Sequence, residues 1–489
     1  MLFNSLDFLW FFPAAVGAYY AVAPKRRWIV LLTSSYLFYM WWRVDFAVLI
    51  FGSTVVDYIA AGTIASSEGK RKRRLLLGVS LATNLGLLFI FKYLGWATKE
   101  FHEIARSVVP SADPPILEFM LPVGISFYTF QTLSYTIDVY RGKLQPERHF
   151  GRFAVFVAFW PQLVAGPIER ATHLIPQLRK GSPWNSEMAI SGFRQVVWGM
   201  FKKVVVADRL AIYVDTVYGA PENYGGWALL AATYFFAFQI YADFSGYSDI
   251  AIGSSKILGI DLMQNFRRPY FALSMGEFWR RWHISLSTWF RDYVYIPLGG
   301  NRTSRGRWYL NILIVFVVSG LWHGANWTFL VWGAVHGGVL IIEATLQRYR
   351  FAHAVRNLRW LHGVRLLVTF HLALAAWVFF RADSLSDAGV VITGIVRDLP
   401  GLVQAVSASD IRALYSTIVV EAGFTAYRFC VAVAGVVVLL VVDTAAERGW
   451  HLPHTRLSRY APLLALDTAV IATLLYGAFG RQSFIYFQF

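Results

Sequence analysis

The stretch that decides the fold runs from Tyr309 to Trp327 and reads YLNILIVFVVSGLWHGANW. From Leu310 to Val318 the only polar side chain is Asn311. A run of this kind is the material of a helix that crosses or lines a membrane. An ionisable imidazole, His323, then follows between a tryptophan and a glycine. A polar group in such a setting is costly and is retained for pairing or for function.

The pattern recurs outward in both directions. Separate apolar runs occupy Phe8 to Val22, Trp28 to Trp42, Phe46 to Ala65, Leu75 to Phe91, Trp227 to Tyr241, Val364 to Phe380, Phe429 to Val442 and Ala461 to Phe479. Of 489 residues 56% are hydrophobic and 15% charged, far from the balance of a soluble chain. The expectation is an all-α, polytopic integral membrane protein. Several runs fall short of a straight span, so about 11 membrane helices are expected, some tilted, re-entrant or broken around a central cavity.

A net charge of +16 would suggest nucleic acid in a soluble protein. Here the basic residues gather in short stretches, PKRRW at Pro24–Trp28 and GKRKRR at Gly69–Arg74, as cytoplasmic loops do. Membrane lipid is the expected surroundings and nucleic acid is excluded as a partner. The turn at Trp42–Asp45 then faces outward, and the first apolar run, without a basic flank or a cleavage signal, reads as a retained helix. Cys430 is the single cysteine, so there is no intramolecular disulfide and no CxxC metal site.

No repeat or composition shift divides the chain, which reads as one membrane domain over residues 1–489 with a catalytic core of about 115–345. The more polar segments Lys99–Pro115, Pro176–Glu187 and Ala382–Asp410 read as loops or short surface helices. Regularity breaks down most between Phe150 and Leu321. Irregular backbone at membrane depth must be buried in protein or line a wet cavity, so function is sought there.

Two segments there stand out. YADFSGYSDIAIGSSKILGI, Tyr241–Ile260, sets Asp243, Asp249 and Lys256 among small residues, a pattern of close helix packing with buried polar pairs. FWRRWHISLSTWFRDYVYIPLGGNR, Phe278–Arg302, mixes aromatic rings with Arg280, Arg281, Arg291 and Asp292. Its arginines either anchor an interfacial helix or hold an anionic donor. Of the 11 histidines, His102, His149, His173, His353, His362, His451 and His454 lie in polar or basic connections. The i, i+3 pair His451 and His454 lacks neighbouring acids and is not read as a metal site. His371 opens an apolar run, and the glycines around His336 suggest tight packing. His283 and His323 sit in aromatic-rich segments, where a neutral imidazole serves either as a core residue or as a general base.

Phe278–Arg302 followed by SGLWHGANWTFLVWGAVHG resembles the membrane-bound O-acyltransferase family, in its bacterial alginate O-acetyltransferase branch. The likeness extends to LPVGISFYTFQTLSYTIDVYR (Leu121–Arg141), FWPQLVAGPIER (Phe159–Arg170), YADFSGYSDIAIG, WVFFRA (Trp377–Ala382) and the terminal FIYFQF. The resemblance implies a catalytic histidine at His323 and a second active-site position at His283. Trp282, Trp322, Arg281 and Arg291 are then the expected substrate- and donor-binding neighbours, with no metal. It also implies no bound cofactor, acetyl-CoA as acyl donor, an exported polysaccharide as the material modified, and periplasmic acetylation proteins as partners. The expected location is the cell inner membrane. A teichoic-acid type D-alanyl transferase and a polysaccharide transporter are the alternatives, the latter calling for internal repeats. The topology has a direct check. With Cys430 replaced, a cysteine at position 72 in intact cells is expected to resist an impermeant thiol reagent, and labelling there would reverse the orientation.

Overall fold

The computed structural model describes residues 1–349, 358–450, 461–479 and 484–485. Among these, every regular element is helical. Six helices are long and apolar enough to cross a membrane, Val44–Ser66, Lys70–Val108, Trp327–Leu346, His362–Arg381, Leu385–Ser407 and Ala426–Arg448. The expected number near 11 counted runs such as Phe8–Val22 and Trp28–Trp42, which form helices of only 16 and 14 residues. These are short of the roughly 20 residues of a straight span.

The chain forms two compact units, Met1–Val196 with Ser248–Gln264, and Val197–Tyr247 with Asn265–Phe489. In the first, Trp160 is a hub for Phe3, Phe8, Phe11, Phe12 and Phe38, with ring centroids 5.5–6.3 Å apart. Deeper in the same unit, the carboxylate of Asp57 on Val44–Ser66 is wholly buried. It accepts hydrogen bonds from Ser80, from Asn84 at 2.8 Å and from Thr136 at 3.3 Å, which joins three helices by one side chain. Asn84 in turn accepts from Ser53 and Thr132. The polar residues of Tyr241–Ile260 also find partners. Asp249 accepts from Gln195, and Lys256 donates to the same amide.

In the second unit, Lys203 bridges Asp208 and Asp243 at 2.8 and 2.7 Å. The other oxygen of Asp243 accepts from the backbone N–H of Ile485. Phe484, ahead of it, packs 5.8 Å from Phe244, so this part of FIYFQF lies against the helix Gly226–Ile257. His353, His451 and His454, and the rest of that motif, lie outside the described residues.

Two readings of polar segments change. Lys70–Arg74 is not a loop but the first turns of the helix Lys70–Leu88. Ala382–Asp410 is mostly the 23-residue helix Leu385–Ser407, whose few charges are handled locally. Asp398, for example, accepts from the backbone N–H of Gly226 at 2.7 Å. The buried Asp57 cluster yields an expectation. Asp57→Ala strands three donors and should cost about 1–3 kcal/mol. Thermal unfolding in detergent checks it, and an unchanged midpoint would remove the cluster from the stability account.

Candidate active site

The site is built on two helix ends in the second unit. His323 is the last residue of Arg305–His323, where Gly324 leaves the helix with φ −161° and ψ 152°. His283 lies between two seven-residue helices, Met275–Arg281 and Ile284–Phe290. Its φ is +42°, a left-handed conformation rare for a residue with a Cβ. Backbone so placed is costly and survives only where its surroundings over-determine it. Here they do. Ile284 N–H donates to the carbonyl of Asn265 at 2.9 Å, and Arg267 N–H to that of Arg281 at 2.9 Å. The Asn265 side chain accepts from the Ser285 hydroxyl at 2.6 Å.

The result is two buried imidazoles with ring centroids 6.5 Å apart. The walls are aromatic. Trp322 stands 4.9 Å from His323 and 5.9 Å from His283. Trp332 and Phe380 close on His323 at 5.0 and 5.2 Å, and Phe244 on His283 at 4.6 Å. Trp282 is 1% exposed and packs on Phe278 and Trp377 at 5.5 and 5.0 Å. Such a lining keeps water from the imidazoles and from charge that develops beside them.

A cavity of about 570 Å³ lies alongside. Ile312, Val315, Phe316 and Ser319 of Arg305–His323 line it, so it follows that helix to within one turn of His323. Arg280, Arg291 and Arg365 reach it, balanced in part by Glu277 and Glu343. Arg291 opens a π-helical turn, Arg291–Tyr295, and is over half exposed beside Asp292. Extra-residue turns of this type are frequent at functional sites. At the inner end Trp279 stands 5.7 Å from Trp332. Trp332 is the ring that touches His323.

With this geometry in view, the similarities of the chain acquire meaning. Residues 147–382 match the model of the membrane-bound O-acyltransferase family. The "Probable alginate O-acetylase AlgI" of Azotobacter vinelandii is 42% identical over 393 residues, covering 79% of this chain and 76% of the relative. The chain belongs to the membrane-bound O-acyltransferase family. The peptidoglycan O-acetyltransferase of Helicobacter pylori is 35% identical over 432 residues, 81% of this chain and 80% of the relative. A teichoic acid D-alanyltransferase of Streptococcus thermophilus is 28% identical over 286 residues, 53% and 68% of the two chains.

In this O-acyltransferase the residues singled out by sequence fall into two groups. His283, His323 and Trp322 share one chamber, while Arg291 lines the cavity. Arg281 turns elsewhere, to Glu277 at 2.7 Å and Glu447 at 2.9 Å, and Trp282 sits in the aromatic core. His336, read as a packing residue, is buried among Trp279, Trp332 and Phe278 at 5.0, 4.8 and 6.3 Å. Among the described residues no cluster of three or more His, Cys, Asp or Glu side chains is placed to hold a metal ion. Asn265, Trp332 and Glu447 escaped the sequence reading. Trp332 falls within a quoted motif and was within reach, but nothing in one sequence pairs Asn265 with the backbone beside His283, or Glu447 with Arg281 in a distant segment.

Gly324 is packed tightly against a neighbouring ring. A Cβ there would lie 2.1 Å from the ring of Phe329, which fills the space. Phe329 packs 5.0 Å from Phe380, itself 5.2 Å from His323. Gly324→Ala is therefore expected to displace these rings and lower turnover by about tenfold or more. Gly338→Ala, where nothing lies within 4 Å, should stay near wild type. Equal activities of the two variants would contradict the packing account.

Proposed function

We propose that the protein transfers an acetyl group from a cytoplasmic thioester, acetyl-CoA, toward an acceptor hydroxyl beyond the membrane, for O-acetylation of an exported polysaccharide. The observation that carries the reading is the buried His283–His323 pair, one helical turn beyond Ser319 and one ring beyond Trp279 of an arginine-bearing cavity. The greater similarity to named O-acetylating relatives than to the D-alanyltransferase supports acetyl as the group moved.

The chemistry follows from the two imidazoles. His323 removes the acceptor proton as the hydroxyl oxygen attacks the thioester carbonyl, a task suited to imidazole near neutral pH. His283 donates a hydrogen bond to the carbonyl oxygen as negative charge develops there. The carbon–sulfur bond then breaks, and the thiolate leaves with the proton that His323 took. Trp322 and the neighbouring rings exclude water, which would otherwise hydrolyse the donor.

Arg291, with Arg280 and Arg365, supplies positive charge for a phosphate-bearing donor. Arg302, Arg305 and Arg307, all exposed and close along the chain to cavity-lining Trp308, favour a cytoplasmic mouth. Arg281, paired with Glu277 and Glu447, is less available to a donor than Arg291. An acceptor beyond the membrane fits periplasmic acetylation proteins as partners and the cell inner membrane as location.

The test is turnover of a labelled acetyl thioester by the purified full chain in detergent, with each histidine changed in turn. His323→Asn should lose activity by about 10²–10⁴-fold, because an amide cannot relay a proton. His283→Asn keeps a donor and should retain more activity than His283→Ala. Arg291→Gln should raise the donor KM roughly fivefold or more at nearly constant kcat. Equal rescue by asparagine at both positions would rule out His323 as the base. Mass spectrometry of the secreted polysaccharide, with and without the protein, reads the product directly. An unchanged acetyl content would reject the polymer assignment.

A further inference from the structure

The carboxylate of Glu447 lies near the site and is used by neither the motifs nor the proposed chemistry. It lies in the last turn of Ala426–Arg448, more than 160 residues beyond His283 in the chain. One oxygen accepts from both terminal nitrogens of Arg281, each at 2.9 Å. The other accepts from Nε of Arg268 at 2.6 Å. Neither guanidinium is mainly exposed, at 13% for Arg281 and 29% for Arg268. This shielding separates the pair from the weak ion pairs of open surfaces.

The two arginines bracket the arm that holds His283. Arg268, like His283, has a left-handed backbone, with φ of +46° and +42°. Two of the three non-glycine residues of positive φ among the described residues therefore fall within this arm. Arg281 also reaches the carbonyl of Arg268 at 3.4 Å and Glu277 at 2.7 Å. Glu277 accepts from the N–H of Leu273 at 3.0 Å, closing the loop back on itself. Within that frame Arg267 N–H bonds the Arg281 carbonyl, two residues before His283. The carboxylate shared by both guanidiniums thus ties the Arg268 end of the arm to the end of the helix Met275–Arg281. Without it, Arg268 loses its carboxylate partner and Arg281 keeps only Glu277, so the ionic tie across the arm is lost.

We propose that Glu447 is a positioning residue for His283, acting through Arg281 and Arg268 to hold the imidazole at its working distance from His323. The inference rests on the reading of His283 as part of the transfer chemistry. It assigns Arg281 to this clamp and leaves donor charge to Arg291. A clamp of this kind alters how well the transition state is met and leaves donor binding intact.

Glu447→Gln keeps shape and removes charge. In the purified full chain it should lower kcat by about 10- to 100-fold, with donor KM within about twofold and the protein still folded. Glu447→Asp, which retains the charge with shorter reach, should fall between Gln and wild type. Combined with His283→Asn, Glu447→Gln should lower kcat by only about two- to threefold further, since both act on one hydrogen bond. Wild-type kcat in Glu447→Gln overturns the proposal. So does a raised KM at constant kcat, which would put Arg281 on the donor, or fully multiplicative losses in the double variant. If Glu447→Gln does not fold, Glu447→Asp decides alone, and wild-type kcat there overturns the clamp. His283→Ala separates the two levels. Full activity in that variant removes the role of His283 itself, whereas an inactive His283→Ala beside an unaffected Glu447→Gln removes only the clamp.

Discussion

Backbone that leaves a helix inside an apolar protein must find every hydrogen bond within the chain. The segment from Asn265 to Ile284 meets this requirement by folding on itself. Ile284 pairs with Asn265, Arg267 with Arg281, and the side chain of Asn265 binds Ser285. The flanking helices of seven residues are far too short to stand alone, since helix nucleation is costly and tertiary packing supplies most of the stability. The position of His283 therefore depends on these cross-links. The aromatic chamber and the nearby cavity are organised around the place they define.

Much of this was legible in the sequence where chemistry and position coincide. His283 and His323 stand out because imidazole is rare among so many rings and aliphatic side chains. The resemblance then joined two motifs that the fold brings to 6.5 Å. The supporting groups were not legible. Asn265 reads as an ordinary loop residue, and Glu447 as a carboxylate at the charged end of an apolar helix, where headgroups are the simpler explanation. Their roles appear only when distant segments meet. Arg281 and Arg291 illustrate the limit, being alike in type and neighbourhood yet turned to different partners.

The helices show a related limit. Ala382–Asp410 carries Asp383, Asp387, Arg397, Asp398 and Asp410, which gave it the look of a surface connection. Its valines, leucines and isoleucines nonetheless continue through a 23-residue helix, and Asp398 is taken up by the N–H of Gly226. The clustered charge at Lys70–Arg74 reads as a cytoplasmic loop, although these residues begin the helix Lys70–Leu88. The division into two units left no trace in composition. Two of its boundaries, at Val196 and at Tyr247, fall inside the helices Ser186–Met200 and Gly226–Ile257, where no linker marks them.

The glycines between Arg305–His323 and Trp327–Leu346 bear on motion. A Cβ at Gly320 would lie 2.1 Å from the carbonyl oxygen of Phe329, and one at Gly333 2.2 Å from that of Phe316. Backbone meets backbone at both points, and close-packed contacts of this sort yield little to bending. His323 is thus delivered on a stiff two-helix hairpin. His283 is held instead by cross-links between short helices and turns, so the two imidazoles are fixed by different means, one by close backbone packing and the other by hydrogen bonds and ion pairs.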